Sequence, residues 1–269
     1  IKKHYRWTRI CYLSGTGNTR WAATYIAKAT NDKLVEIANA MFADASDSDL
    51  SFALKANERI GFCFPTHGWQ PPGIVRQFLK RLRLTTNGNH FCYALTTCGD
   101  NIGKTMDIFS KELHRKNLHL DACFSLIMPE SYLFPLIDMI DRPEVAEKKK
   151  ENGQAALALI APDIVEKKKG LRKVNESRWP RLNSFILGHF FLHQWVRDTP
   201  FKVDNKLCAR CGLCARVCPV KNITAPKGQL PQWQHNGLCT TCFSCYHHCP
   251  KHAINFGLRT KGKRQYYFK

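Results

Sequence analysis

The sequence predicts an α/β chain in two parts: a doubly wound parallel five-stranded sheet, then a small α+β domain. Three observations predict it. Apolar strand-like runs alternate with amphipathic helical runs through residues 1–165, the pattern of strand–helix crossovers over a parallel sheet. The first strand runs into a glycine- and hydroxyl-rich loop that opens a helix, a local build that suits an anion. Near the other end, four cysteines closed by a proline occur twice, from Cys208 and again from Cys239. A constant offset marks two related halves of one small unit.

The elements follow in order. Thr8 to Leu13 is a short apolar strand, and the helix after its loop carries Trp21, Ala22, Tyr25, Ile26 and Ala29 on one face. Leu34 to Ala38 supplies another strand. Arg59 to Pro65 is near-continuously apolar, as a parallel strand covered on both faces should be. Gly73 to Leu84 is a helix with Ile74, Phe78, Leu79 and Leu82 apolar. Phe91 to Thr96 is a further buried strand, followed by a helix around Ile102 to Lys116, and Leu120 to Met128 completes the five. Helical segments run from about Pro143 to Lys169. In such a sheet a ligand belongs at the carboxyl ends of the strands, at the switch point.

The loops at those ends carry the chemistry. The first is Ser14-Gly15-Thr16-Gly17-Asn18-Thr19. Backbone amides and a helix N-terminus face an anion there, and hydroxyls add donors. The third glycine of a dinucleotide fingerprint is replaced by Arg20, and the Walker lysine is missing. The string, placed after the first strand, closely resembles the FMN-phosphate loop of flavodoxins, and the resemblance implies a flavodoxin-like FMN domain. By position, Pro65 to Gly73 and Thr96 to Asn101 resemble the two flavodoxin loops that sandwich the isoalloxazine. That implies ring contacts from Thr66, Gly68 and Trp69 on one side and from Thr97, Cys98, Gly99 and Asp100 on the other. Trp69 either stacks on the flavin or caps its proline-rich turn. The second loop lacks an aromatic; its face of the ring is open, or covered by Tyr132 or by the second domain. Gly99 lets the backbone approach the ring. Cys98 is a packing thiol unless its pKa is lowered. His67 is the candidate catalytic acid, with a hydrogen-bonding scaffold as the other reading.

The cysteine runs are Cys208-x2-Cys211-x2-Cys214-x3-Cys218-Pro219 and Cys239-x2-Cys242-x2-Cys245-x3-Cys249-Pro250. Thiolates two residues apart reach adjacent corners of one cubane. Structural zinc prefers closed sets of four, usually two separated pairs, which these uninterrupted runs fit poorly. The spacing resembles that of bacterial-type two-cluster ferredoxins. The resemblance implies two 4Fe–4S clusters, one on Cys208, Cys211, Cys214 and Cys249, the other on Cys239, Cys242, Cys245 and Cys218. An apolar residue four after each proline, Ile223 and Ile254, extends the repeat beyond the ligands.

Domain limits follow from these motifs and from charge: 1–165 for the flavin domain, 166–197 for a basic connecting helical segment, 198–269 for the ferredoxin domain with its basic tail. Their net charges are +4, +6 and +10, together the chain's +20, and no acid follows Asp204. Such an excess steers acidic partners; a nucleic-acid partner is not expected, since no recognition motif accompanies it. Apolar residues at 182, 185, 186 and 190 give the connector helical periodicity. It either packs the two domains together or offers a basic–aromatic surface to a membrane or partner. His189 and His193 lie one turn apart but lack the further ligands of a metal or haem site. The lysine runs at 148–150 and 167–169 are solvated helix faces. No apolar run approaches the roughly 20 residues of a membrane helix, and no signal peptide is visible in Ile1 to Ile10. With eight of thirteen cysteines assigned to clusters, a reducing cytoplasm is expected. The remaining five, Cys11, Cys63, Cys92, Cys98 and Cys123, mostly sit in apolar runs, where a buried inert thiol is the default.

Together the hydroxyl-rich loop, the two cysteine runs, Pro231-x-Trp233 between them and Gly257-x3-Lys261 with Arg264 and Tyr266 after them resemble the EFR-family ferredoxin–flavodoxin fusion proteins. That implies redox work in anaerobes. The chain reads as an electron-transfer iron–sulfur flavoprotein passing electrons between its two 4Fe–4S clusters and FMN, and its basic charge points to an acidic redox protein as donor or acceptor. The alternative is an FMN-dependent reductase of a small molecule, fed through the clusters. No NAD(P)H site is visible. An oligomer is compatible with the sequence.

Overall fold

The computed structural model describes residues 8–42, 50–86 and 90–269; residues 1–7, on which the reading of Ile1 to Ile10 largely falls, lie outside them. The elements run β1 (Arg9–Tyr12), α1 (Asn18–Thr30), β2 (Lys33–Glu36), α2 (Ile37–Phe42), β3 (Ser51–Leu54), β4 (Arg59–Pro65), α3 (Gly73–Arg81), β5 (Arg83–Thr86), β6 (Phe91–Cys98), α4 (Thr105–His114), β7 (Ala122–Ile127), α5 (Pro143–Val165) and β8 (Leu171–Lys173). A π-helical turn, Leu182–Leu187, leads into α6 (Gly188–Gln194).

All strands of the main sheet are parallel, in the order β2-β1-β4-β6-β7-β8. The first five positions are the doubly wound order expected. The sheet nonetheless has six strands, not five: β8, within the segment read as a helical connector, pairs with β7 from Leu171 to Lys173. Two arginine or lysine residues in three hide the strand from an apolar-run reading, and only its edge position tolerates them. The second strand also stops earlier than expected, at Glu36, because Ile37 begins α2. A separate parallel pair, β3 with β5, had no sequence signal long enough to read.

Side chains alternate across the sheet, as a period of two requires. Phe62 and Phe64 of β4 and Ala94 of β6 join Phe78 of α3 and Phe109 of α4 in one core layer. Tyr93 and Leu95 of β6 and Phe124 of β7 meet Ile26 of α1 and Leu157 of α5 in the other. All eight residues of β6 are buried, which explains its continuous apolar run. Gly61 makes room for Tyr93, whose ring would lie 2.3 Å from an added Cβ.

The C-terminal part is built of short pieces: β9 (Lys202–Val203) antiparallel to β12 (Ile254–Asn255), β10 (Ile223–Thr224) antiparallel to β11 (Gln232–Trp233), and the one-turn helices α7 (Leu213–Arg216) and α8 (Ser244–His247). The sequence repeat is a backbone repeat. Left-handed residues occur in matched pairs, Arg210 with Thr241, Gly212 with Phe243 and Lys221 with His252. The amides of Asn222 and Ala253 donate to Cys218 Sγ (3.4 Å) and Cys249 Sγ (3.3 Å), again at matched positions.

Candidate functional site

A cavity of about 490 Å³ opens at the carboxyl ends of the parallel strands. The β1–α1 loop forms its floor, the loops after β4 and β6 two walls, and Pro129 to Tyr132, after β7, a third. Thr240, Thr241 and Cys242 close it from the C-terminal part. Ser14, Gly15, Thr16, Asn18, Thr19, Thr66, His67, Gly68, Trp69, Thr97, Cys98, Gly99 and Asp100 all border it. Of the residues singled out for this site, Gly17 alone does not border it; with φ +101°, it is covered by Phe268, whose Cβ would lie 2.9 Å from an added Cβ.

The loop leaves the start of α1 uncapped by any side chain. Gly17 begins α1 without a side-chain cap, and the first turn carries no acid. The first amides of a helix have no intrahelical partner, so those of α1 remain available on a positive helix end. Ser14 Oγ accepts from the Gly17 amide (3.2 Å), and Thr16 Oγ1 lies 3.2 Å from Ser131 Oγ. Thr19 Oγ1 and Thr97 Oγ1 share a hydrogen bond of 2.7 Å, tying the phosphate-type loop to the end of β6.

The loop after β4 is a tight turn. His67 and Gln70 exchange both backbone hydrogen bonds, and Gly68 and Trp69 between them are left-handed at φ 54° and 55°. Such a conformation is costly for tryptophan. It is held from outside: Ser184 Oγ donates to Trp69 O (2.8 Å), and Gln70 Nε2 donates to Ser184 O (2.6 Å). Trp69 therefore borders the cavity under constraint from the π-helical turn. The apolar stripe at 182, 185, 186 and 190 is exposed; the opposite face, through Ser184, Gly188 and Phe191, packs against the turn. A four-residue period gives the stripe's spacing, not which side the fold covers.

Burial decides the state of the titratable groups. His67 is pushed down to about 4, and its Nδ1 is buried without a hydrogen-bond partner. It is a neutral imidazole at pH 7, not a stored proton. The Cys98 thiol is pushed up to about 12 by burial, with nearby acids adding to it, so it is a packing thiol. Gly99 also makes room for a side chain: an added Cβ would lie 2.0 Å from Glu130 Oε2.

Glu130 and Tyr132 were not singled out together as site residues, although the carboxyl end of β7 was the place to look. Half-buried Glu130 accepts the amides of Ser131 (2.9 Å) and Tyr132 (2.8 Å), and desolvation raises its pKa. Lys149 Nζ donates to Gly99 O (2.9 Å) and pairs with Asp141 (2.7 Å), which in turn accepts the Glu130 amide. Tyr132 lies edge-on to Phe191 and Phe243 and accepts a hydrogen bond from Arg259 (3.0 Å).

The cysteines gather crosswise. Cys208, Cys211, Cys214 and Cys249 ring a second, small cavity with Pro231 and Pro250. Cys218 lies near enough to Cys239, Cys242 and Cys245 to raise their pKa values. Burial first pushes Cys214 and Cys242 to about 11 and Cys239 to about 12. Bound cations invert that balance and hold such sulfurs as thiolates. The second group touches the first cavity directly. A Cβ on Gly15 would lie 3.2 Å from Cys242 Sγ, and Ser244 Oγ donates to Gly15 O (2.8 Å).

Residues 201–258 match the family of 4Fe–4S dicluster domains, a span that includes all eight cysteines of the two runs. The chain is thus an α/β protein with a parallel sheet and a C-terminal region of the 4Fe–4S dicluster type. No curated protein matches it. Among solved structures it is similar to the Trp repressor binding protein from Bacillus subtilis (12% identity, 60% of this chain and 99% of that one, TM-score 0.36). It is also similar to rubredoxin oxygen:oxidoreductase from Desulfovibrio gigas (13%, 58% and 36%, 0.30) and to the azoreductase from Bacillus anthracis str. Sterne (10%, 59% and 99%, 0.33). No helix among the described residues is long and apolar enough to cross a membrane.

Proposed function

We propose that the chain is an iron–sulfur flavoprotein of the ferredoxin–flavodoxin fusion type that reduces a small molecule at FMN, with electrons delivered through two 4Fe–4S clusters. One observation carries the reading: Cys242 and the hydroxyl-rich loop form adjoining walls of one cavity, with Gly15 against the Cys242 side chain. FMN exchanges one or two electrons and each cluster one, which joins one-electron supply to two-electron reduction.

The residues fit these groups. The α1 amides with Ser14, Thr16 and Thr19 would hold the phosphate, with no cation among them. Trp69, fixed by Ser184, would cover one ring face, and Tyr132, packed with Phe191 and Phe243, also borders the cavity. Cys208, Cys211, Cys214 and Cys249, which ring a cavity with Pro231 and Pro250, would hold one cubane, and Cys239, Cys242, Cys245 and Cys218 the other. His67, neutral, would accept or share a hydrogen bond at the ring.

A carrier role toward an acidic protein is the second reading. Arg210, Arg216, Lys206 and Lys251 are exposed around Cys208 and Cys211, and exposed charge of one sign speeds encounter.

The test is anaerobic. The reconstituted protein is reduced, and reoxidation of flavin and cluster absorbance is followed with small two-electron acceptors and with acidic redox proteins. Saturable reoxidation by a small molecule, slowed at least tenfold in Cys242→Ser when electrons are supplied at the clusters, is expected. Reoxidation by proteins alone, weakened by salt, would establish the carrier instead. Failure of the folded protein to bind FMN would remove both readings.

A further inference from the structure

The segment from Arg178 to Arg197 contains no acidic residue. Its helical part runs from Leu182 to Gln194. One face is committed to the fold: Ser184 is fully buried, and a Cβ on Gly188 would lie 2.1 Å from Gly68 O. The other face presents Leu182, Phe185, Ile186 and Phe190, 44%, 53%, 61% and 58% exposed, after Trp179 at 63%. Arg178, Arg181 and Arg197 are exposed beside it, and among the described residues none of the three is in an ion pair. Phe191 on the same helix borders the large cavity, as do Ile137 and Met139, themselves 58% and 41% exposed.

We propose that this helix is an interfacial anchor that lies flat on an anionic lipid surface. Exposed aromatic and aliphatic side chains beside arginines, on a helix too short to span, are the composition that enters the headgroup–acyl boundary. Arginines at an anionic leaflet add attraction that falls off within a Debye length. The charge selects lipid over a second copy of the chain. Face-to-face pairing would set Arg178, Arg181 and Arg197 against their own counterparts, between molecules each carrying a net +20.

Vesicle sedimentation of the full reconstituted protein tests this. Vesicles of phosphatidylcholine alone are compared with vesicles containing phosphatidylglycerol. Binding to the anionic vesicles is expected, at least tenfold above the neutral ones. It should weaken about fivefold for each arginine removed in Arg178→Gln and Arg181→Gln, and at least tenfold in the double variant Phe185→Ser/Ile186→Ser. These side chains are exposed, so near-unchanged thermal unfolding should accompany the loss. Equal binding to both vesicle types, or undiminished binding by the variants, would overturn the proposal. So would concentration-dependent self-association that the serine variant abolishes, without lipid binding.

Discussion

His67 and Glu130 show how burial, not residue type, decides what a side chain can do. A histidine at the mouth of a loop reads as a proton donor, but this one is held neutral because burial pushes its pKa to about 4. The sign follows from linkage. Below the ordinary value of 6.5 the unfolded chain takes up the proton first, so stability falls as pH drops from about 6.5 to 4 and that contribution is then spent. His67→Gln should show a shallower loss of melting temperature over this range than wild type; parallel pH profiles would refute the buried neutral state. Gly99→Ala tests the neighbouring contact. The new methyl meets a Glu130 carboxylate already engaged by two amides, so moving it sacrifices hydrogen bonds. A loss of about 1–3 kcal/mol is expected in chemical denaturation. Glu130→Ala should relieve part of it, as a double-mutant cycle would reveal.

At the scale of elements, the π-helical turn and α6 form the clearest structural device. They hold a tryptophan in a left-handed conformation beside the cavity, through Ser184 and through the close approach of Gly188 to Gly68. Gly188→Ala should improve intrinsic helix propensity by up to about 1 kcal/mol. It should still destabilise the protein, because its methyl meets a backbone carbonyl that has no rotamer to escape into. Hydrogen exchange at residues 66–70 should rise in this variant, and unchanged protection would show that the turn holds itself. The inner strands β1, β4, β6 and β7 were legible because burial on two faces writes continuous apolar runs. The edge strand β8 and the pair β3–β5 were not, since four residues or fewer with one open side leave almost no pattern.

Across the whole molecule, the C-terminal part is bound to the sheet domain at the phosphate-type loop. The amide of Phe268 donates to Thr16 O (2.7 Å), its ring stacks on Trp21 at 5.1 Å, and Tyr266 Oη donates to Asn18 Oδ1 (2.8 Å). His247 reaches Ser131 O at 2.7 Å and accepts the Tyr266 amide at Nδ1 (3.1 Å). The tail thus braces the loop from outside while Cys242 faces it from within the cavity. Phe268→Ala should cost about 1–2 kcal/mol and, on the proposed function, weaken FMN binding in a fluorescence titration. Destabilisation without any change in FMN affinity would limit the tail to a structural role.

The sequence alone determined the parallel α/β sheet, the hydroxyl-rich loop at the start of α1 and the two cysteine runs, because each is written in local spacing: strand period, helix start, and residues a few positions apart. It also named most residues bordering the cavity, since the ends of parallel strands converge by topology. Only the tertiary structure decided that Glu130 fills the space behind Gly99, and that His67 is neutral. Only it showed that the connector's apolar stripe faces outward and that Phe268 lies on Gly17. Those facts depend on which surfaces meet between segments far apart in the chain, and on how completely water is excluded there. Neither quantity leaves a periodic mark in the sequence.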